Sequence, residues 1–246
     1  PVMINAKKIL GLIPARGGSK RLPGKNVRPL NGVPLIELTI QVSHRSRYID
    51  KTIISTDSAE IAKIAESCGA EVPFFRPGSL STDTSTSVDV AIHALDLLQS
   101  RGQHFDYLLL LQPTSPLRTE VHIDQAIELL VEKEADAVVG VTYLESTAEW
   151  SGPLEEDLQV PWLATREQNH RSCEVREKVK INGAIYLIDS KKLKGERTFF
   201  LKEKIYGLMM EKDASLDIDT KLDFDIAEFL MERKNDSNRE INPAAL

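Results

Sequence analysis

The sequence predicts an α/β fold in three layers, a mostly parallel sheet covered by helices on both faces. Three observations point there. Short apolar runs alternate with amphipathic helical stretches through the first 142 residues, the order that a parallel sheet with crossover helices requires. The run Tyr107 to Leu111 is apolar without alternation and is closed by Pro113, as a strand buried on both faces would be. The 246 residues include only Cys68 and Cys173, outside any CxxC pattern. No disulfide or zinc framework is therefore expected to stand in for a hydrophobic core.

The elements follow in order. Residues 9–13 read as a buried strand, 35–47 as a helix and 51–57 as a strand. Residues 58–69 read as a helix with Ser58 as its N-cap and Gly69 just past its end. A second helix of the same design covers 87–102, before the central strand at 107–113. A helix over 122–135 and a strand over 137–142 complete the alternation. The pattern breaks at 143–178, which holds both tryptophans, Trp150 and Trp162. The stretch is too long for a plain loop in a compact domain and is read as an insertion with its own role. Its tryptophans suit a contact surface or pack back on the core. Strand signals return at 181–189 and 205–210, and a helix over 221–234 ends the single domain 1–234. Residues 235–246 read as a flexible tail.

Charge is unevenly placed. The chain has 31 Lys and Arg against 37 Asp and Glu, yet residues 1–49 hold nine of the basic side chains and one acidic residue, Glu37. Arg16, Lys20, Arg21, Lys25 and Arg28 fall within thirteen residues just after the first strand, beside Gly17 and Gly18. A strand running into a glycine-rich cationic loop suits a polyphosphate, which needs inward-pointing amides and fixed positive charge. The plainer alternative is a solvated basic surface loop. The rest of the chain is acidic, which argues against a nucleic-acid partner. The loop lacks the Walker A spacing, and no GxGxxG follows the strand, so a P-loop and a dinucleotide fingerprint are both excluded. The low cysteine count fits a reducing cytoplasm. A cytoplasmic protein is expected, with no signal peptide and no stretch long enough to cross a membrane.

Three further segments could carry chemistry. In SLDIDTKLD (215–223), Asp217 and Asp219 are two apart, which puts both carboxylates on one side of an extended chain. They suit a Mg²⁺ completed by phosphate oxygens and water, or an Asx-turn or helix cap before residue 221. QPTSPLR (112–118) lies at the C-terminal end of an apolar strand, where open α/β sheets bind ligands. Gln112 could offer an amide there and Arg118 a guanidinium, or the segment is a proline-stiffened turn with Arg118 at the surface. The hydroxyl-rich FRPGSLSTDTSTSVD (75–89) could meet a base or ribose, or merely cap a helix. The five histidines show no metal-ligand spacing, and no GxSxG elbow is present.

Taken together, PARGGSKRLPGKN (14–26), RPGSLSTDTSTS (76–87), LLQPTSPLR (110–118), NGAIY (182–186) and SLDIDTKLD resemble the acylneuraminate cytidylyltransferases, the CMP-sialic acid synthetases, over about residues 8–233. The resemblance implies a Rossmann-like three-layer αβα nucleotidyltransferase fold. It also implies the reaction of CTP with a nine-carbon 2-keto sugar acid to give the CMP-sugar and diphosphate, the C2 hydroxyl attacking the α-phosphorus. Arg16 and Lys25 would hold the phosphates, with Gly17, Ser19 and Asn26 in the same loop. Asp217 and Asp219 would hold Mg²⁺, or another divalent cation such as Mn²⁺. Backbone carbonyls from Leu12 to Ala15, with Arg76 and Ser87, would meet the cytosine. The sugar acid would sit by Gln112, Lys180 and Asn182. Many family members have Arg-x-Asn-Gly before the AIY strand, whereas this chain has Lys180-Ile181-Asn182-Gly183. Lysine keeps the charge but loses the bidentate fork, which leaves legionaminate and pseudaminate beside N-acetylneuraminate as substrates. The insertion 143–178 stands where the family builds its dimer contact, so a homodimer is expected. A non-catalytic nucleotide-binding module is the competing class.

Overall fold

The computed structural model describes residues 6–144, 159 and 178–241, with side chains as far as residue 234. In chain order the strands and helices are β1 (Ile9–Pro14), β2 (Pro29–Leu30), β3 (Val33–Pro34), α1 (Leu35–Arg45), β4 (Lys51–Ser55) and α2 (Ala59–Ser67). They continue with α3 (Ser87–Ser100), β5 (Tyr107–Leu110), α4 (Glu120–Glu132), β6 (Ala137–Tyr143) and β7 (Val179–Asp189). The last are α5 (Ser190–Glu196), β8 (Ile205–Met209) and α6 (Lys221–Ile241). The main sheet has the order β4-β1-β5-β7-β6-β8, and β2 pairs with β3 in a small separate ribbon. All neighbours in the main sheet are parallel except β7, which is antiparallel to both β5 and β6.

The two-residue period of the strands builds the layers. Ile9, Ile13, Leu109 and Leu111 face α1, α2 and α4 in one cluster, while Leu10, Leu12, Leu108 and Leu110 face α3 and α5 in the other. A third, smaller cluster joins Leu22, Leu30 and Leu35 to Ile218, Phe224 and Ala227. It docks α6 and the segment before it onto the chain that follows β1.

The strands and helices expected from periodicity are present. The 2-residue ribbon and the short α5 carry too little pattern to be read from sequence. The last helix departs from expectation. It does not stop at residue 234 but continues to Ile241, so a flexible tail over the whole of 235–246 is not what forms. Extending a helix costs little once it is nucleated, and no Gly or Pro intervenes before Pro243, which disfavours helix at the residue before it. Of the insertion 143–178, residues 145–158 and 160–177, with Trp150 and Trp162, lie outside the described residues. Its two ends are paired. Tyr143 registers with Val179, and the Leu144 amide donates to Lys178 O at 2.8 Å.

Leu109 sits in the middle of β5 and is fully buried. Leu109→Ala should lower the unfolding free energy by about 2–5 kcal/mol, read as a lower urea midpoint with an unchanged slope. A loss within error of zero would show that β5 is not the centre of the core.

Candidate active site

A cavity of about 650 Å³ opens beyond the C-terminal ends of β1 and β5, lined by Pro14, Arg16, Gln112 and Pro113 among others. This is the crevice where open α/β sheets take ligands. Four cations of the opening loop reach it, Arg16, Lys20, Arg21 and Lys25, and acidic side chains answer them. Arg16 Nη1 lies 2.9 Å and Lys20 Nζ 2.5 Å from Asp83. Lys20 and then Arg16 hold the Asp83 carboxyl below the usual carboxylate range. Arg21 pairs with Asp219 at 2.8 Å. Lys25, largely buried, donates to Ile218 O at 2.6 Å and approaches Asp219 at 3.4 Å.

The loop's shape differs in detail from expectation. Gly17 and Gly18 do not take left-handed backbone; Gly24 does, at φ 66°. The Gly17 amide donates to Asp57 at 2.8 Å and the Ser19 amide to Gly17 O at 3.1 Å, so these two amides are not presented to an anion. Gly17 is needed for close approach instead, since a Cβ there would lie 3.1 Å from Ser58 Cβ. Charge on side chains, more than backbone amides, makes this site anion-seeking. Asn26, buried, donates to Arg16 O at 2.9 Å and pins the loop.

Ser19, Arg76 and Ser87 also line the cavity. Arg76 is buried and donates to both the hydroxyl and the carbonyl of Ser55; its desolvation pushes the guanidinium down from its ordinary value. Thr86 caps α3 by accepting from the Asp89 amide, which leaves Ser87 at the cavity wall. Leu12 and Ala15 do not reach the cavity. Leu12 is an interior strand residue whose carbonyl accepts from the Leu111 amide at 2.9 Å, and Ala15 is fully buried with its amide on Ser55 O at 3.0 Å. The sheet has taken the Leu12 carbonyl, whereas the bond at Ala15 engages its amide and not its carbonyl.

The aspartate pair is set by what lies between it. Ile218 is fully buried in the third cluster, and its amide donates to Thr114 O at 2.8 Å. Alternation then turns Asp217 and Asp219 to the cavity. Helix capping falls to Thr220 and Asp223, whose side chain accepts from the Thr220 amide at 2.7 Å, so Asp219 is free of that role. Asp217 meets solvent through the cavity yet is ringed by protein. That crowding pushes its carboxyl above the usual range, a hydrogen bond from Thr114 opposes the shift, and Asp219 adds to it. Among the described residues no group of three or more His, Cys, Asp or Glu is placed to hold a metal. Two carboxylates on one face still fit Mg²⁺, which binds through one or two carboxylates plus substrate phosphates and water.

A second cavity, of about 600 Å³, adjoins the first, and Gln112 and Asp217 line both. Lys180, Asn182 and Tyr186 line the second one. Asn182 is buried, and its polar atoms are committed inward. Nδ2 donates to Ser215 Oγ at 2.9 Å and Oδ1 accepts from the Ala184 amide at 3.0 Å. It braces the turn before Asp217 instead of presenting an amide to a ligand. Gly140 makes room for it, because a Cβ there would lie 2.5 Å from Asn182 Oδ1. Gly183, at φ +77°, would clash by its Cβ with Gln112 Oε1 at 3.1 Å. Tyr186, Thr114, Gly140 and Asp83 are site residues that periodicity and spacing did not single out. Arg118 is neither at the surface nor in either cavity wall. It is buried behind them.

A cation-lined crevice beside a second polar cavity, on this sheet, is an arrangement that suits a nucleotidyltransferase. Residues 10–240 match the family model described as cytidylyltransferase, and the chain belongs to that family. It is 36% identical over 92% of its length to CMP-N,N'-diacetyllegionaminic acid synthase of Legionella pneumophila, covering 97% of that protein. It is 32% identical over 94% of its length to pseudaminic acid cytidylyltransferase of Campylobacter jejuni, covering 99% of it. Against N-acylneuraminate cytidylyltransferase of Escherichia coli it is 33% identical over 93% of its length but covers 53% of that chain. A CMP:2-keto-3-deoxy-manno-octonic acid synthetase structure shares the fold at TM-score 0.69 and 14% identity, over 92% of this chain and 99% of that one.

Between the ordinary carboxylate value and the raised one of Asp217, the folded protein holds more protons than the unfolded chain, so stability falls as pH rises through that window. Asp217→Asn should therefore raise the melting temperature at about pH 7 and leave it unchanged near pH 4. An unchanged or lower melting temperature at neutral pH would show that the ionised carboxylate is not a burden on the fold.

Proposed function

We propose that the protein couples CTP to a nonulosonic acid, releasing diphosphate. The observation that carries this reading is the wall shared by the two cavities, Gln112 and Asp217. A nucleotide in the first cavity and a sugar acid in the second would meet there. The sugar's C2 hydroxyl oxygen attacks the α-phosphorus as its proton is released to solvent, the bond to the β-phosphate oxygen breaks, and diphosphate leaves toward the cationic loop. Arg16, Lys20, Arg21 and Lys25 are placed to take the phosphate oxygens, exchanging the carboxylates of Asp83 and Asp219 for them. Fixed charge and positioning carry most of such a transfer. Asp217 and Asp219 would hold a Mg²⁺, whose contribution is to neutralise charge on phosphate oxygens. Arg76 and Ser87 serve the nucleoside side of the first cavity, while Lys180 and Gln112 serve the acid side of the second. The relatives named above are similar to nearly equal degree, so the sugar is assigned by class and the three nonulosonates are its members.

The protein is also proposed to act as a homodimer. Tyr143, Val179 and Ile181 are large, apolar and exposed at the paired roots of the 143–178 segment, the kind of surface that associates.

Wild-type protein with CTP and Mg²⁺ should release diphosphate with N-acetylneuraminate, N,N'-diacetyllegionaminate or pseudaminate. Lys25→Met should lower kcat/KM for CTP on the order of 100-fold. Asp219→Ala should lose turnover while CTP binding is largely kept. No diphosphate with any of the three acids sinks the reading and leaves a nucleotide-binding module.

A further inference from the structure

Arg118 is the largest side chain buried below 2% relative exposure or near it, at 2% itself, and no carboxylate offsets that burial. Its Nη1 donates to Ala184 O at 2.7 Å and to Gln112 O at 3.3 Å. Its Nε, like the neighbouring Ser115 Oγ, has no hydrogen-bond partner among the described residues. A lone buried cation is an expensive way to fill space, and an apolar side chain of similar size would fill it at less cost. Something specific must depend on its hydrogen bonds.

The strand register shows what that is. The β5–β7 pairing runs from Tyr107↔Asp189 to Leu110↔Tyr186 and then ends. Two residues further along the same register, Gln112 would face Ala184. In an antiparallel ladder a pair two positions on is linked by the same kind of backbone bonds. Here three of the four groups bond elsewhere. Arg118 takes both carbonyls, Asn182 Oδ1 takes the Ala184 amide at 3.0 Å, and the Ser115 amide donates to Gln112 O at 3.3 Å. Pro113 follows at once and offers no amide. The absent rung lies behind Gln112, the residue common to both cavities, and beside Gly183, whose missing Cβ lets Gln112 Oε1 come close.

We infer that Arg118 is a positioning residue that replaces the Gln112–Ala184 rung with its guanidinium, holding the strands apart and fixing the Gln112 amide where the two substrates meet. The inference rests on the function proposed above for its kinetic consequences, though not for its structural ones. Arg118 touches no substrate; it acts through Gln112.

Two variants test it, Arg118→Met and Arg118→Lys, each with and without Gln112→Ala. Arg118→Met should unfold cooperatively with a melting temperature near that of the parent. It should lose about 100-fold in kcat, the scale that small misplacement near the chemistry costs, and should raise KM for the sugar acid while KM for CTP changes little. Arg118→Lys should recover part of kcat. Adding Gln112→Ala to Arg118→Met should cost far less than it does in the parent, as expected for residues acting in series. Amide hydrogen exchange should quicken in 111–118 and 182–186 alone. A folded Arg118→Met with parental kcat, additive effects with Gln112→Ala and unchanged exchange overturns the inference. If the Met variant does not fold, the Lys variant decides: loss of kcat with CTP KM kept supports it, and parental kinetics overturn it. Should the parent turn over no nonulosonate, the proposed function has failed and hydrogen exchange alone judges Arg118.

Discussion

The site depends on one contact between distant parts of the chain, the seating of residues 216–220 against the loop that follows β1. Asp219 is linked to Arg21 and Lys25, and Lys25 also reaches Ile218 O. These polar links are conspicuous, but magnitudes favour the apolar ones beneath them. Arg21 and Asp219 are well exposed, and such pairs contribute about 0–1 kcal/mol. Ile218, Leu22, Leu30, Leu35 and Phe224 are buried together, and each such side chain gains roughly 1.5–3 kcal/mol on burial. The small cluster holds the two segments together, and the ion pairs set where their polar ends lie. The aspartates face the cations because Ile218 faces the core.

That arrangement keeps charges in a state useful for chemistry and poor for stability. Asp217 and Asp219 stand near each other, and the crowding around Asp217 raises its carboxyl. Arg76 and Arg118 are buried without a bonded carboxylate, and both guanidinium groups are pushed down, Arg118 to about 9. A sequence optimised for folding would neutralise these groups or replace them. Their persistence in the wall of one crevice and behind it is what a site that handles a highly charged substrate needs.

Much of this was legible in the sequence, for physical reasons that also mark the limits. The unbroken apolar run Leu108–Leu111 and the helical spacing in α1 to α4 are dictated by burial, so strands and helices could be read directly. The crowd of cations at 16–28 and the Asp-x-Asp pair were legible because charge so concentrated has few structural uses. Asn182 was legible as a site residue but not in its role: spacing says that an amide is present, and only packing says that Met210, Ser215 and the Ala184 amide occupy it. Leu12 lines neither cavity, because sheet pairing had prior claim on its carbonyl. Gly17 read as part of a loop that offers amides to an anion, whereas its amide is held by Asp57 and a Cβ there would lie close against Ser58. The extension of α6 fits the absence of Gly or Pro before Pro243, a stop signal nine residues beyond Lys234, where amphipathic patterning fades.

The single antiparallel strand explains how one short stretch of chain furnishes much of the second cavity. In a wholly parallel sheet every strand delivers only its C-terminal end to the crevice, and each further site residue needs another crossover. β7 runs the other way, so it delivers its beginning there. Residues 180–186 then arrive as one extended segment beside the end of β5, bringing Lys180, Asn182, Gly183 and Tyr186 to the second cavity together. The cost of that economy is a join between strands that cannot be regular to its end, since the crevice needs space where the next backbone rung would fall. Gly140 and the shifted register between Val139 and Val141 lie on the β6 side of β7, and Gly183 and the guanidinium of Arg118 lie on its β5 side. Irregularity is concentrated there, beside the two cavities, in a sheet otherwise evenly paired.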